Sequence, residues 1–279
     1  MFTDNILVLG RGYIGTYLSD YLSTKYNVLT KSSKELNYHD KNVLRKFLED
    51  NRIKLVINCS GFTGRPNVDE AESKKEECYQ LNVVCPLSVA TTCNTLGVRC
   101  FHMSSGCIYS GYEKDFKEKD APNFGMFNES SFYSKTKHSF EMLSRDLNVS
   151  ILRLRMPICE NVDNPRNYLY KIMRYPNLVD IRNSKTFLRD LAGFTEALFS
   201  CRSEMLKLNQ QIYNVVNPKP LTTKEVIEEL NGLGFNLNPN WVNQDELKLA
   251  APRSNCILDN SKVMEIYKFR DEKEIYLEV

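Results

Sequence analysis

Short apolar runs and longer amphipathic stretches alternate along the first half of the chain. Residues 6–9 are apolar throughout and stop at Gly10, which predicts a strand buried on both faces. Ile14, Leu18, Tyr21 and Leu22 then recur at helical spacing. Residues 28–30 read as a second strand, and Val43, Phe47 and Leu48 mark a second helix. Residues 55–59 read as a third strand opening into Ser60 and Gly61, followed by one long helix over 75–96. A fourth strand is predicted at 99–103, a helix from Tyr133, and a fifth strand at 151–155. The polar stretch 111–131 reads as an exposed loop. This alternation predicts an α/β fold, a Rossmann-type doubly wound parallel sheet with helices on both faces.

Beyond Pro157 the alternation loosens. Residues 164–175 look helical with Leu169 and Ile172 inward, 191–199 look like a helix returning to the sheet, and 212–216 suit a late strand. Thr222-x-x-Glu225 is a capping-box pattern that opens another helix. The expected division is a dinucleotide-binding domain over 1–157 plus about 183–216. A smaller, partly discontinuous substrate region, about 158–182 and 217–279, is expected above the carboxyl ends of the strands.

The 279 residues suffice for a full core, and 42% hydrophobic with 26% charged residues is ordinary for a soluble globular chain. A net charge of +2 without a basic stripe gives no reason to expect a nucleic-acid or membrane-surface partner. The first apolar run is broken by Asp4 and Gly10, unlike a signal peptide, and no run approaches the ~20 apolar residues of a spanning helix. Nine scattered cysteines without Cys-x-x-Cys spacing read as reduced thiols in a cytoplasmic protein. His39, His102 and His138 show no metal-binding spacing, so no metal is expected.

Gly10-Arg11-Gly12-Tyr13-Ile14-Gly15 fits Gly-x-Gly-x-x-Gly between a strand and a helix, the setting in which backbone amides hold a pyrophosphate. Lys31, Ser32, Ser33 and Lys34, together with Arg11, suit a 2′-phosphate and hence NADPH. Glu35, past the strand end, leaves NADH open, and the lysines also suit a solvated turn. Tyr133 and Lys137 lie one helical turn apart and face the same way. An ammonium there is expected to draw the tyrosine from ~10 toward ~7 and make it a usable general acid. Ser105, ending the fourth strand, is placed to hydrogen-bond a substrate carbonyl. Cys107 is a group that simple carbonyl reduction does not need.

Six motifs recur in order: Gly64-Arg65-Pro66-Asn67-Val68-Asp69, Ser105-Gly106-Cys107-Ile108-Tyr109, Phe132-Tyr133-Ser134-Lys135-Thr136-Lys137, Arg155-Met156-Pro157-Ile158, Asn164-Pro165-Arg166-Asn167 and Ala251-Pro252-Arg253-Ser254-Asn255. With them the chain resembles the extended short-chain dehydrogenases/reductases, and more closely the plant-type bifunctional nucleotide-rhamnose synthase/epimerase-reductases. It resembles dTDP-4-dehydrorhamnose reductase and GDP-fucose synthase more distantly. The glycine loop is one residue shorter than the family's Gly-x-x-Gly-x-x-Gly, and the loop before Tyr133 is shortened.

The resemblance implies 3,5-epimerisation of UDP-4-keto-6-deoxyglucose and NADPH-dependent reduction at C4 to UDP-L-rhamnose, in a homodimer. It implies Cys107 as base and Lys171 as the matching acid, where GDP-fucose synthases use histidine. Ser105 and Tyr133 would stabilise the enolate, and Tyr133 would then protonate O4. Ser60, Gly61 and Pro157 would line the cofactor. Arg65, Asn67, Asn164, Asn167 and Arg253 would meet the substrate, Arg253 at the diphosphate. Arg65 and Arg253 also suit salt bridges, and Asn82 either interrupts its helix near the site or faces a neighbouring strand. Two rival readings are a 4-keto sugar-nucleotide reductase without epimerase activity and a non-catalytic NADP-binding regulatory module.

Overall fold

A computed structural model describes residues 4–126, 129–201 and 209–278. Six parallel strands form its central sheet: β1 (Asn5–Leu9), β2 (Asn27–Lys31), β3 (Ile53–Asn58), β4 (Arg99–Ser105), β5 (Val149–Leu154) and β6 (Gln211–Asn214). Their spatial order is β2-β1-β3-β4-β5-β6. The order reverses between β1 and β3, and the crevice above such a switch point is where open sheets bind ligands.

Alternate side chains of one strand serve opposite cores. Ile6 and Val8 join Leu55, Ile57, Phe101 and Met103 on one face, while Leu7 and Leu9 join Val56 and Cys100 on the other. Helices α1 (Tyr13–Leu22) and α6 (Leu188–Ser200) cover the first face with Leu18, Leu22, Leu191, Phe194 and Leu198. Helices α2 (Lys41–Asp50), α3 (Cys85–Leu96) and α4 (Phe132–Leu143) cover the second with Leu44, Leu48, Val89, Cys93 and Phe140. Burying each such side chain contributes roughly 1.5–3 kcal/mol. Two-sided burial explains why residues 6–9 of β1 and 55–57 of β3 read as unbroken apolar runs.

A third core lies beyond the carboxyl edge. Ile158, Leu169, Ile172, Phe187, Val226, Leu230, Ile275 and Tyr276 meet there. They come from helices α5 (Tyr168–Arg174) and α7 (Thr223–Gly232), the paired strands Pro157–Ile158 and Thr186–Phe187, and the C-terminal turns. The capping box at Thr222 is present, each partner satisfying a backbone N–H of the other. Helix α5 starts at Tyr168, so 164–167 form the turn that enters it.

Two expectations change. The long helix is not continuous: Lys75–Tyr79 passes through a π-helical turn, Gln80–Val84, before α3. That turn carries Asn82 inward, where its amide donates to the Phe62 carbonyl and to Thr136, and its oxygen accepts from the Phe62 N–H. The stretch from 111 is not simply a loop: Gly111–Phe116 pairs in parallel with Cys256–Leu258. Residues 112–115 are exposed, but Phe116 is buried and stacks on Tyr109 at 4.6 Å. Residues 127 and 128 of that stretch, and 202–208 of the expected dinucleotide-binding part, lie outside the described residues.

Among the described residues, no helix is long and apolar enough to cross a membrane, and no cluster of three metal-ligating side chains occurs.

Candidate active site

The turn between β1 and α1 packs against the turn after β3. Gly10 has a φ of +94°, and a Cβ there would sit 2.9 Å from the Ser60 nitrogen. A Cβ on Gly15 would meet the Gly10 carbonyl at 2.0 Å. Gly12 instead faces open space, and no side chain caps the start of α1. An uncapped helix start with room above it suits a dinucleotide's pyrophosphate. Tyr13 and Ile14 pack on the core beneath, so they can offer this site their backbone. Arg11 hydrogen-bonds the Thr30 carbonyl and pairs with Glu35 at 2.8 Å. The Ser32 N–H and hydroxyl, helped by Arg11, hold the Glu35 carboxyl down at about 2. Lys31 ends β2 with its ammonium 5.9 Å from the Phe47 ring. Ser60 is fixed by Asn58, which accepts from both its N–H and its hydroxyl. Gly61 lies over Asn82 and Lys137, where a Cβ would come within 2.9 Å of the amide oxygen and 3.7 Å of the ammonium.

Ser105 ends β4, and Tyr133 and Lys137 occupy successive turns of α4, whose start is capped by Ser131. The three are buried together. Tyr133 lies close enough to the Ser105 hydroxyl to be influenced by it, and the Lys137 ammonium donates to the Met103 carbonyl at 3.2 Å and lies 5.9 Å from the Tyr133 ring. The expected downward pull on the tyrosine does not win. Burial pushes the phenol up, with Cys107 adding to it and Ser105 opposing. Burial also lowers Lys137, from 10.5 to about 8. Tyr133 therefore holds its proton at neutral pH, ready to donate it.

The buried ammonium carries a stability cost. Lys137→Met is expected to raise stability by about 1–3 kcal/mol while removing activity, as read by urea unfolding. Because the folded pKa lies below the unfolded one, the cost is full below pH 8 and fades between about 8 and 10.5. The variant's advantage should shrink over that window.

Cys107 follows Ser105 in the next turn, and its N–H donates to the Ser105 hydroxyl at 3.2 Å. Its sulfur accepts from Arg155 Nη1 at 3.0 Å. The Arg155 fork also donates to the Ser254 hydroxyl at 3.1 Å, the Ser254 carbonyl at 2.9 Å and the Asn183 side-chain oxygen. Thiol, phenol and hydroxyl thus lie together at the end of β4.

Three further cations gather around α5 and the turn at 64–69. Lys171 on α5 is partly buried, and burial, Arg166 and Arg253 all push its ammonium below the ordinary range. Arg166 donates to the Gly64 carbonyl at 2.7 Å. Arg253 grips Asp69 with both nitrogens, at 2.8 and 3.0 Å, so its salt bridge is formed within the chain. Arg65 is exposed, and Asn67 accepts from the Asp69 N–H. Asn164 accepts from the Arg166 N–H. Asn167 is fully buried, capping α5 and donating to the Cys159 and Asn161 carbonyls. Every polar atom of its amide is used in holding this turn. Pro157 opens the short strand beside Thr186, just after Met156 at a φ of +36°.

The family model described as RmlD substrate binding domain matches residues 4–271. The chain belongs to this family. A bifunctional dTDP-4-dehydrorhamnose 3,5-epimerase/dTDP-4-dehydrorhamnose reductase of Arabidopsis thaliana is 36% identical to it, over 93% of this chain and 86% of that protein. A trifunctional UDP-glucose 4,6-dehydratase/UDP-4-keto-6-deoxy-D-glucose 3,5-epimerase/UDP-4-keto-L-rhamnose-reductase of the same plant is 39% identical over 75% of this chain. The chain spans only 31% of that longer protein. Among solved structures, the L780 UDP-rhamnose synthase of Acanthamoeba polyphaga mimivirus superposes with a TM-score of 0.87 at 26% identity, over 99% of both chains. The dTDP-4-dehydrorhamnose reductase of Bacillus anthracis, in complex with NADP, superposes at 0.83 with 18% identity over the whole of both chains.

Two residues of this RmlD-family site carried no role in the sequence reading. Arg155 stands in a quoted motif, at the end of a strand two positions before Pro157, and that placement was the available signal. Arg166 stands in another, between the asparagines that were singled out.

Proposed function

We propose that the chain is an epimerase-reductase that converts UDP-4-keto-6-deoxyglucose to UDP-L-rhamnose, with NADPH as its cofactor. The observation that carries the reading is a thiol hydrogen-bonded to a buried guanidinium within one turn of the reductase trio Ser105, Tyr133 and Lys137. Reduction of a 4-keto sugar nucleotide needs only the trio. The extra thiol, and the 36% identity to a plant bifunctional enzyme across nearly the whole chain, support the epimerase step.

A 4-keto group acidifies the protons on C3 and C5. Cys107 as thiolate takes such a proton: an S–H bond forms, the C–H bond breaks, and the electron pair moves into an enolate with its charge on O4. Ser105 and Tyr133 stabilise that oxygen by hydrogen bonding. Lys171, whose lowered pKa makes it a readier donor, returns a proton to carbon from the opposite face. The thiol then loses its proton to solvent and the amine regains one from solvent, so the same pair can act at the second carbon. After both inversions Tyr133 gives its proton to O4, and Lys137 holds positive charge beside the phenolate left behind. When bound, the dinucleotide supplies hydride to C4. Gly10, Gly12 and Gly15 would hold its pyrophosphate, and Lys31 and Arg11 its adenosine end.

The test is the purified chain with UDP-4-keto-6-deoxyglucose and NADPH, with the sugar read by NMR. UDP-L-rhamnose is expected, with deuterium at C3 and C5 when the reaction runs in D2O. NADPH oxidation on a pre-epimerised 4-keto-rhamnose alone, without exchange into the first substrate, would leave a reductase only. NADPH binding without turnover on either sugar would leave a regulatory module. The dTDP substrate run in parallel identifies the preferred base.

A further inference from the structure

Among the described residues, two side-chain cations are fully buried against carboxylates: Arg153 on Glu141 at 2.7 Å and Lys185 on Glu272 at 2.6 Å. Arg155 is buried to the same degree, at 2% exposure, yet forms no ion pair with a carboxylate among the described residues. Its partners are an amide oxygen, a hydroxyl, a carbonyl and the Cys107 sulfur. A buried charge without a counter-ion costs several kcal/mol, so such charges are almost always paired. Cys107 is the ionisable group hydrogen-bonded to this guanidinium. The other thiol near it, Cys256, is held protonated by burial and donates to the Gly106 carbonyl at 3.7 Å. Tyr112 also faces the guanidinium, and burial raises its phenol too.

The fork is anchored from behind. Asn183 accepts from Arg155 and from the Cys256 N–H and donates to Asn255, so its rotamer is set by three partners. Ser254 receives two hydrogen bonds from the fork and donates its hydroxyl to the Tyr109 carbonyl. A Cβ on Gly106 would come within 2.8 Å of the Arg155 chain, which leaves that chain one narrow path to the sulfur. Asn183, Ser254 and Arg155 come from three separate segments and converge on Cys107.

We propose that Arg155 is the positioning residue of the proton-abstracting thiol. Its guanidinium takes the Cys107 thiolate as its counter-ion and fixes the sulfur beside the sugar ring, so that it serves epimerisation and not reduction. This rests on the epimerase reading given above. The role matches the chemistry of a thiolate base, which needs a fixed positive charge at the sulfur and a single orientation.

The test uses the full chain with Arg155→Ala, Arg155→Lys and Ser254→Ala, each checked for native circular dichroism. Arg155→Ala should lower deuterium exchange at C3 and C5 on the order of 10²-fold while lowering reduction of pre-epimerised 4-keto-rhamnose far less. Millimolar guanidinium should restore part of the exchange. Independently of any sugar, iodoacetamide labelling of Cys107 at pH 7, read by peptide mass spectrometry, should slow by about tenfold. If Arg155→Ala does not fold, Arg155→Lys keeps the charge without the fork, and Ser254→Ala loosens the fork; both should lower exchange more than reduction. Equal losses of exchange and reduction with Cys107 labelled at the wild-type rate would overturn the proposal. Slowed labelling in Arg155→Ala, with no exchange even in the wild type, would uphold the thiolate pair and sink the epimerase reading instead.

Discussion

Tyr133→Phe is expected to lower reduction of the 4-keto sugar by about 10²–10⁴-fold, the range for removing a positioned proton donor. The hydroxyl is the atom at issue, because the ring stays packed among Phe62, Ala71 and Cys78 and the fold should not notice the change. Burial holds the phenol protonated, so at neutral pH the wild type carries a full complement of acid. Exchange at C3 and C5 should persist at a reduced rate, since Ser105 still donates to the enolate oxygen. Single-turnover NADPH oxidation on pre-epimerised substrate measures the first effect, and NMR in D2O the second. Reduction at the wild-type rate would remove Tyr133 from the mechanism.

Cys107→Ala should produce the opposite split. Exchange at both carbons should fall by about 10²–10⁴-fold, because among the described residues of this site no other thiol or carboxylate is hydrogen-bonded to a buried cation. Reduction should stay close to wild type, because Ser105, Tyr133 and Lys137 make their contacts without the sulfur side chain; Cys107 touches Ser105 through its backbone N–H. Stability should fall, since the substitution removes the counter-ion of a buried guanidinium and leaves Arg155 bonded only to neutral groups of Ser254 and Asn183. The two variants together form a test that a general loss of folding cannot mimic, because each removes one activity and spares the other. UDP-L-rhamnose formed by Cys107→Ala at the wild-type rate would end the bifunctional assignment.

The sheet was legible in the chain because central strands such as β1 and β3 are written as largely apolar runs, and each of the six strands overlaps a stretch read as a strand. The positions of the glycine turn, of Ser105 at a strand end and of Tyr133 and Lys137 on one helix were legible because each depends on local backbone geometry or on one helical turn. The strand Gly111–Phe116 was not, since its exposed residues 112–115 are polar and its ladder partner, Cys256–Leu258, comes from the far end of the chain. The π-helical turn was hidden for a related reason: Asn82 is turned inward by the Phe62 backbone, a partner no helical period reveals.

Local sequence alone thus determined the fold class, the glycine turn after the first strand and that Tyr133 and Lys137 lie one helical turn apart, because those features need only neighbours along the chain. Tertiary structure decided which charges survive at the site. It pairs Arg253 with Asp69, spends the Asn167 amide on a cap, raises Tyr133 where sequence predicted lowering, and sets Arg155 against Cys107. Charge state depends on burial and on partners brought from distant segments, and neither is written in any single stretch of residues.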